Sequence, residues 1–158
     1  MNYQDYEIKP QSEIATIQMN RAIMIYIEGE DYISPITLAG AAEEIFARAL
    51  QEKGILSIYD EVKKSTNSHR NDFGYSEYSQ KQFNTAMNQT RNLLKHRSDG
   101  EYVGASFRME AMKMIYRAIT SYTRLFKESN EFIDKYLEHE PYGALPLFPF
   151  HDSSLEKA

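Results

Sequence analysis

Residues 103–127, VGASFRMEAMKMIYRAITSYTRLFK, decide the fold class. Phe107, Ala111, Met114, Ala118 and Leu125 recur at helical spacing. Met112, Ile115, Ile119 and Phe126 form a second apolar stripe beside them. A half-buried strand would alternate apolar and polar residues at every second position, and this segment does not. Two adjacent stripes demand burial on two sides, either at the centre of a bundle or against a second subunit.

Outward from there, the same periodicity recurs. Ser76 is expected to cap a helix running to about Arg97, with Phe83, Ala86, Met87, Thr90 and Leu94 as its core face. Ser34-Pro35 opens another with an N-cap and a first-turn proline, and Gly54 closes it. Leu38, Ala41, Ala42, Ile45, Ala49 and Leu50 should face inward there, and the run Ala39-Gly40-Ala41-Ala42 lets a neighbouring helix come close. Residues 12–28 read as a first helix with a stripe of Ile14, Ile17, Met24 and Ile25. Ala22 to Ile27 could pass for a buried strand, but length and the missing turn partner favour helix. Short helices are expected over 55–62 and 130–138, the latter ended by Pro141, and 63–74 reads as a polar loop.

Residues 1–11 form a polar arm. The tail 141–158 contains Pro146 and Pro149 and cannot be helical there, yet Leu145, Leu147, Phe148 and Phe150 should pack over a groove of their own bundle or, as the alternative, dock on another chain. The expectation is one all-α domain over 1–158, an up-and-down bundle of four main helices with short additional ones. Its loops would fall near 29–34, 63–75, 97–103 and 139–150.

Composition bounds the function. A chain of 158 residues can bury a core without staples. There is no cysteine, which removes disulfides, thiolate metal sites and thiol nucleophiles. No apolar stretch approaches a membrane span, and the first residues have no basic patch or apolar run, so a cytoplasmic setting is expected. A net charge of −5 argues against a broad nucleic-acid coat but allows a small basic cleft. His69, His139 and His151 lack ligand spacing, so neither a metal nor a cofactor is expected.

The local basic cluster is Arg91, Lys95, His96 and Arg97, at the end of a helix running into Ser98-Asp99-Gly100. Its bland reading is a set of cations complementing a helix C-terminus. Its sharper reading is phosphodiester chemistry. Arginine can hold a phosphate with two hydrogen bonds. Histidine can exchange a proton near neutrality. Arg91 sits one turn after Met87 and one turn before Leu94, at the margin of the core face. Five positions of regular helix rotate a side chain by about 140°. Arg91 and His96 therefore converge only if the helix ends near Lys95 and the chain turns back, or if two copies meet.

The pattern Arg91-Asn92-x-x-x-His96 in an all-helical chain resembles the signature of the HEPN superfamily. The segment from Ile33 to Ala49, with Asn92, Lys95 and His96 downstream, is also similar to a set of uncharacterised bacterial proteins with an Asn-x-x-Lys-His motif. The HEPN resemblance implies metal-free RNA cleavage. His96 would act as general base or acid at the ribose 2′-hydroxyl, Arg91 would stabilise the scissile phosphate, and Asn92 would orient the pair. Lys95 and Arg97 would bind the nucleic acid. It further implies a homodimer, and a toxin or defence role with an antitoxin-like partner.

Glu43 and Glu44 could assist a metal or orient the arginine beside this motif. The plainer expectation is a core-edge glutamate paired with Arg48 or Arg91. Tyr75, Tyr78 and Tyr102 could stack on bases, or simply pack. The second function class is a non-catalytic helical module that binds a partner protein or a nucleotide through the same cleft.

Overall fold

The computed structural model describes residues 7–95 and 103–141. Among these, seven helices and no strand are present: α1 (Gln11–Glu28), α2 (Ile33–Glu52), α3 (Ile58–Asp72), α4 (Gln80–Met87), α5 (Gln89–Lys95), α6 (Phe107–Phe126) and α7 (Glu131–His139). The fold is all-helical, as the periodicity predicts. Residues 1–6, the 97–102 part of the expected 97–103 loop, and the tail from 142 onward lie outside the described residues.

Helix α6 is the central element, packed on α1, α2 and α3. Met112, Met114, Ile115, Ala118 and Ile119 are all buried, so both predicted stripes are covered within one chain over most of their length. The doubly apolar face therefore needs no second subunit. Small residues permit the close approach of α2 to α6: Ala39 and Ala42 on one side, Ala111 and Ala118 on the other, all fully buried. Tyr26, Phe46, Met19, Ile23, Ile36 and Tyr136 fill the remaining space.

Several expected details differ. The inward face of α1 is Ala15, Met19, Ala22, Ile23 and Tyr26, while Ile17 is 52% exposed and Ile14 is also at the surface. Both candidate faces are apolar, and packing chose the one that includes the large Tyr26 ring. Helix α2 begins before Ser34, because the Asp31 carboxylate accepts from the backbone N–H groups of Ile33 (2.8 Å) and Ser34 (3.0 Å). On α2 the buried positions include Pro35, Ile36, Gly40, Glu43 and Phe46, which the expected inward set omitted.

The expected loop at 63–74 is mostly helix. Ser57 caps α3 by accepting from the Asp60 N–H. Asp60 and Glu61 in the first turn, and His69 and Arg70 in the last, complement the helix dipole. Asn67 then ties this polar helix down, its amide exchanging two hydrogen bonds with the Tyr78 backbone at 2.9 and 3.3 Å.

The next helix is capped by Ser79, not Ser76, through a capping box with Gln82. It then breaks at Asn88 into α4 and α5. The last helices differ little from expectation, with Asn130 capping α7 by accepting from Phe132 and Ile133 N–H.

Candidate functional site

Helices α2, α3, α4, α5 and α6 surround an open cleft of about 440 Å³, within the usual size range of small-molecule sites. Its lining is polar. Glu43, Glu44 and Arg48 come from α2, Tyr59 and Asp60 from α3, Gln80 and Asn84 from α4, Arg91 from α5 and Arg117 from α6.

Two arginines form its floor. Arg91 is only 4% exposed, yet it lines the cleft. It is ion-paired through Nη1 with the Glu44 carboxylate, whose side chain is 62% exposed. That hydrogen bond, with the charges of Arg91, Lys95 and Arg117 behind it, holds the Glu44 carboxyl below its ordinary range despite partial burial. The Arg91 side chain lies against Gly40 of α2, and only glycine leaves space for it there.

Arg117 is buried as deeply. Its Nη2 donates to Glu43 at 3.0 Å, and its Nη1 donates to the Met87 carbonyl (3.3 Å) and to Asn88 Oδ1 (3.2 Å). These last two contacts grip the chain where α4 gives way to α5, one turn before Arg91. The guanidinium also lies 5.4 Å from the Tyr59 ring centroid. Burial pushes the Tyr59 phenol up to about 12, so at neutral pH it is a hydroxyl that can donate. Nε of both arginines and Oε1 of Glu43 are buried without a hydrogen-bond partner among the described residues.

The predicted site residues separate. Arg91 enters the cleft. Asn92, the next position on α5, is exposed and does not line it. Lys95 ends α5 and is exposed. His96 and Arg97 lie outside the described residues. Of the pairings expected for Glu43 or Glu44 with Arg48 or Arg91, Glu44–Arg91 is present, whereas the buried Glu43 pairs with Arg117, which the sequence did not single out. A signal was there: Arg117 interrupts the apolar face of α6 between Met114 and Ser121, and a charge in a buried face needs a partner.

Among the described residues no cluster of three or more His, Asp or Glu could hold a metal ion, and no helix is long and apolar enough to cross a membrane. His69 packs edge-on to Phe73 at 4.8 Å, and His139 lies edge-on to Tyr26 at 6.1 Å. Tyr78 lies under the Arg70 guanidinium at 4.1 Å, a packing role. Comparison with protein-family models, curated proteins and solved structures finds no match for this chain.

Proposed function

We propose that the chain is a metal-independent endoribonuclease with a HEPN-like bundle, acting in the cytoplasm as a toxin or defence effector held by an antitoxin-like partner. The observation that carries the reading is the setting of Arg91. It is a buried cation that lines an open cleft, its counter-ion is a half-exposed carboxylate, and its helix ends one residue before His96. A phosphate oxygen can take the place of Glu44 on this guanidinium without exposing a bare charge to the core.

In the proposed reaction His96 takes the proton of a ribose 2′-hydroxyl. The 2′-oxygen attacks the adjacent phosphorus, the bond to the 5′-oxygen breaks, and that oxygen takes a proton from protonated His96, directly or through water. The products are a 2′,3′-cyclic phosphate and a 5′-hydroxyl. Arg91 stabilises the charge that grows on the phosphoryl oxygens. Lys95 and Arg97 hold the strand, and Asn92 supports the pair from the outer face of α5. In the proposed homodimer, two copies bring Arg91 and His96 together.

The second reading, a helical module that binds a partner protein or a nucleotide, is favoured by one observation: Arg91 is already neutralised by Glu44. Incubation of RNA with wild type, Arg91→Ala and His96→Ala in a chelator separates the two. The nuclease reading expects cyclic-phosphate ends from wild type and a loss of about 10²–10⁴ in rate from each variant. Cleavage that persists in folded variants, or that wild type lacks, leaves the binding module.

A further inference from the structure

On the α4–α5 side of the cleft the asparagines present hydrogen-bond donors, and two donor-only side chains orient them. Lys63 and Arg117 have protons to give and no lone pair to offer. The Lys63 ammonium takes Gln80 Oε1, which turns the Gln80 amide nitrogen toward Asn84 Oδ1 at 2.8 Å. The Tyr59 hydroxyl donates to that same Asn84 oxygen. One turn on, the Arg117 guanidinium takes Asn88 Oδ1. The oxygens of both asparagines are thus occupied, and their NH₂ groups have no acceptor among the described residues. Asn84 and Asn88 line the cleft four residues apart, and Arg91 follows three residues on, so donors recur about one turn apart along this wall. Across from them Arg48 lines the cleft without an ion-pair partner among the described residues.

We infer that Asn84 and Asn88, with Arg48 opposite, form a track for the phosphodiester backbone of single-stranded RNA leading to Arg91. A phosphodiester offers acceptors and no donors, which is what a wall of amide and guanidinium protons selects. Each carboxylate of the cleft has a donor: Glu43 is held through one oxygen by Arg117, Asp60 accepts from the Ser57 hydroxyl, and Glu44, held by Arg91, is 62% exposed and can turn to solvent where a phosphate takes its place. The neutral amides also explain how an acidic chain can bind a polyanion in one groove. The inference rests on the nuclease reading for the identity of the strand, and its test is a binding measurement that needs no cleavage.

The probe is a short fluorescent 2′-O-methyl oligouridylate, which has no free 2′-hydroxyl and stays intact. Its anisotropy is followed with wild type, Asn84→Ala, Asn88→Ala and Lys81→Ala at low and moderate salt. Lys81 is exposed on α4 and does not line the cleft. Loss of a hydrogen bond to a charged group weakens binding by about tenfold or more. The expected result is that loss in Asn84→Ala, with Lys81→Ala within about twofold of wild type. If Asn88→Ala unfolds because Arg117 loses a partner, Asn84→Ala alone decides. The inference is overturned if wild type does not bind the probe, if Asn84→Ala binds it unchanged, or if Lys81→Ala loses as much. It is also overturned if labelled polyglutamate binds as tightly. RNA cleavage with unchanged binding in Asn84→Ala sinks this inference alone, whereas binding without cleavage sinks the nuclease reading alone.

Discussion

A Cβ atom placed on Gly40 would lie 2.6 Å from Nε of Arg91 and 2.7 Å from its Cδ. The buried arginine of α5 thus lies in a bed that one missing methyl group on α2 provides. Glycine in a helix interior ordinarily costs about 1 kcal/mol relative to alanine, so the position keeps a residue that helix propensity disfavours.

Gly40→Ala should therefore invert the usual sign. Instead of the gain of about 1 kcal/mol expected for a helical glycine, overpacking against Arg91 should destabilise the fold by about 1–3 kcal/mol. Urea unfolding of the two proteins measures it. A stabilised Gly40→Ala would mean that Arg91 moves aside freely and that the bed is not specific.

The Glu43–Arg117 pair has both side chains 4% exposed. Removing one partner of such a pair strands the other charge, at a cost of about 3–5 kcal/mol. Arg117→Met is expected to fall in that range. Glu43→Leu combined with Arg117→Met should recover much of it, because no charge is then left buried. Equal losses in the single and double variants would show that Arg117 acts mainly through its bonds to Met87 and Asn88.

Glu44 carries a pH signature. Its folded-state carboxyl titrates below the ordinary 4.5 because of Arg91. A depressed carboxyl contributes stability that is present above the unfolded-state value and lost as pH falls through the folded one. The difference in melting temperature between wild type and Glu44→Gln should be constant from neutrality to about pH 5 and shrink toward zero below the folded pKa. A difference that grows on acidification would contradict the ion pair.

Tyr26 joins α1 to the end of α7 by donating to Glu140 at 2.9 Å, and Arg108 of α6 pairs with the same carboxylate. Burial, first of all, pushes the Tyr26 phenol above its ordinary range, so it stays a donor at any physiological pH. Tyr26→Phe keeps the ring packing and removes the hydroxyl, and should cost about 1–2 kcal/mol by thermal unfolding. A Tyr26→Phe protein as stable as wild type would place the ring contacts, not the hydrogen bond, at the centre of that junction.

Local rules set the helical class and the double stripe of α6, since each depends on residues within a few turns. They also reached as far as a core-edge glutamate paired with Arg48 or Arg91, because a buried acid needs a counter-ion, but not which glutamate meets which arginine. They failed where distant parts of the chain decide. The second half of α3, residues 63–72, looks like a loop until Tyr78 meets Asn67. Residues 80–95 look like one helix until Arg117, arriving from α6, takes the Met87 carbonyl and the Asn88 side chain. Periodicity likewise offered two apolar faces on α1, and only the shape of the space beside Tyr26 chose between them.

The sequence by itself determined that the chain folds as helices around one long apolar segment, because hydrophobic spacing is a local property. Only the tertiary structure decided which polar residues meet. Glu43, Tyr59, Asn84, Arg91 and Arg117 come from five different helices. Their hydrogen bonds span separations that no window of sequence covers. A buried charge must find a partner, and which partner it finds is settled by how the helices pack.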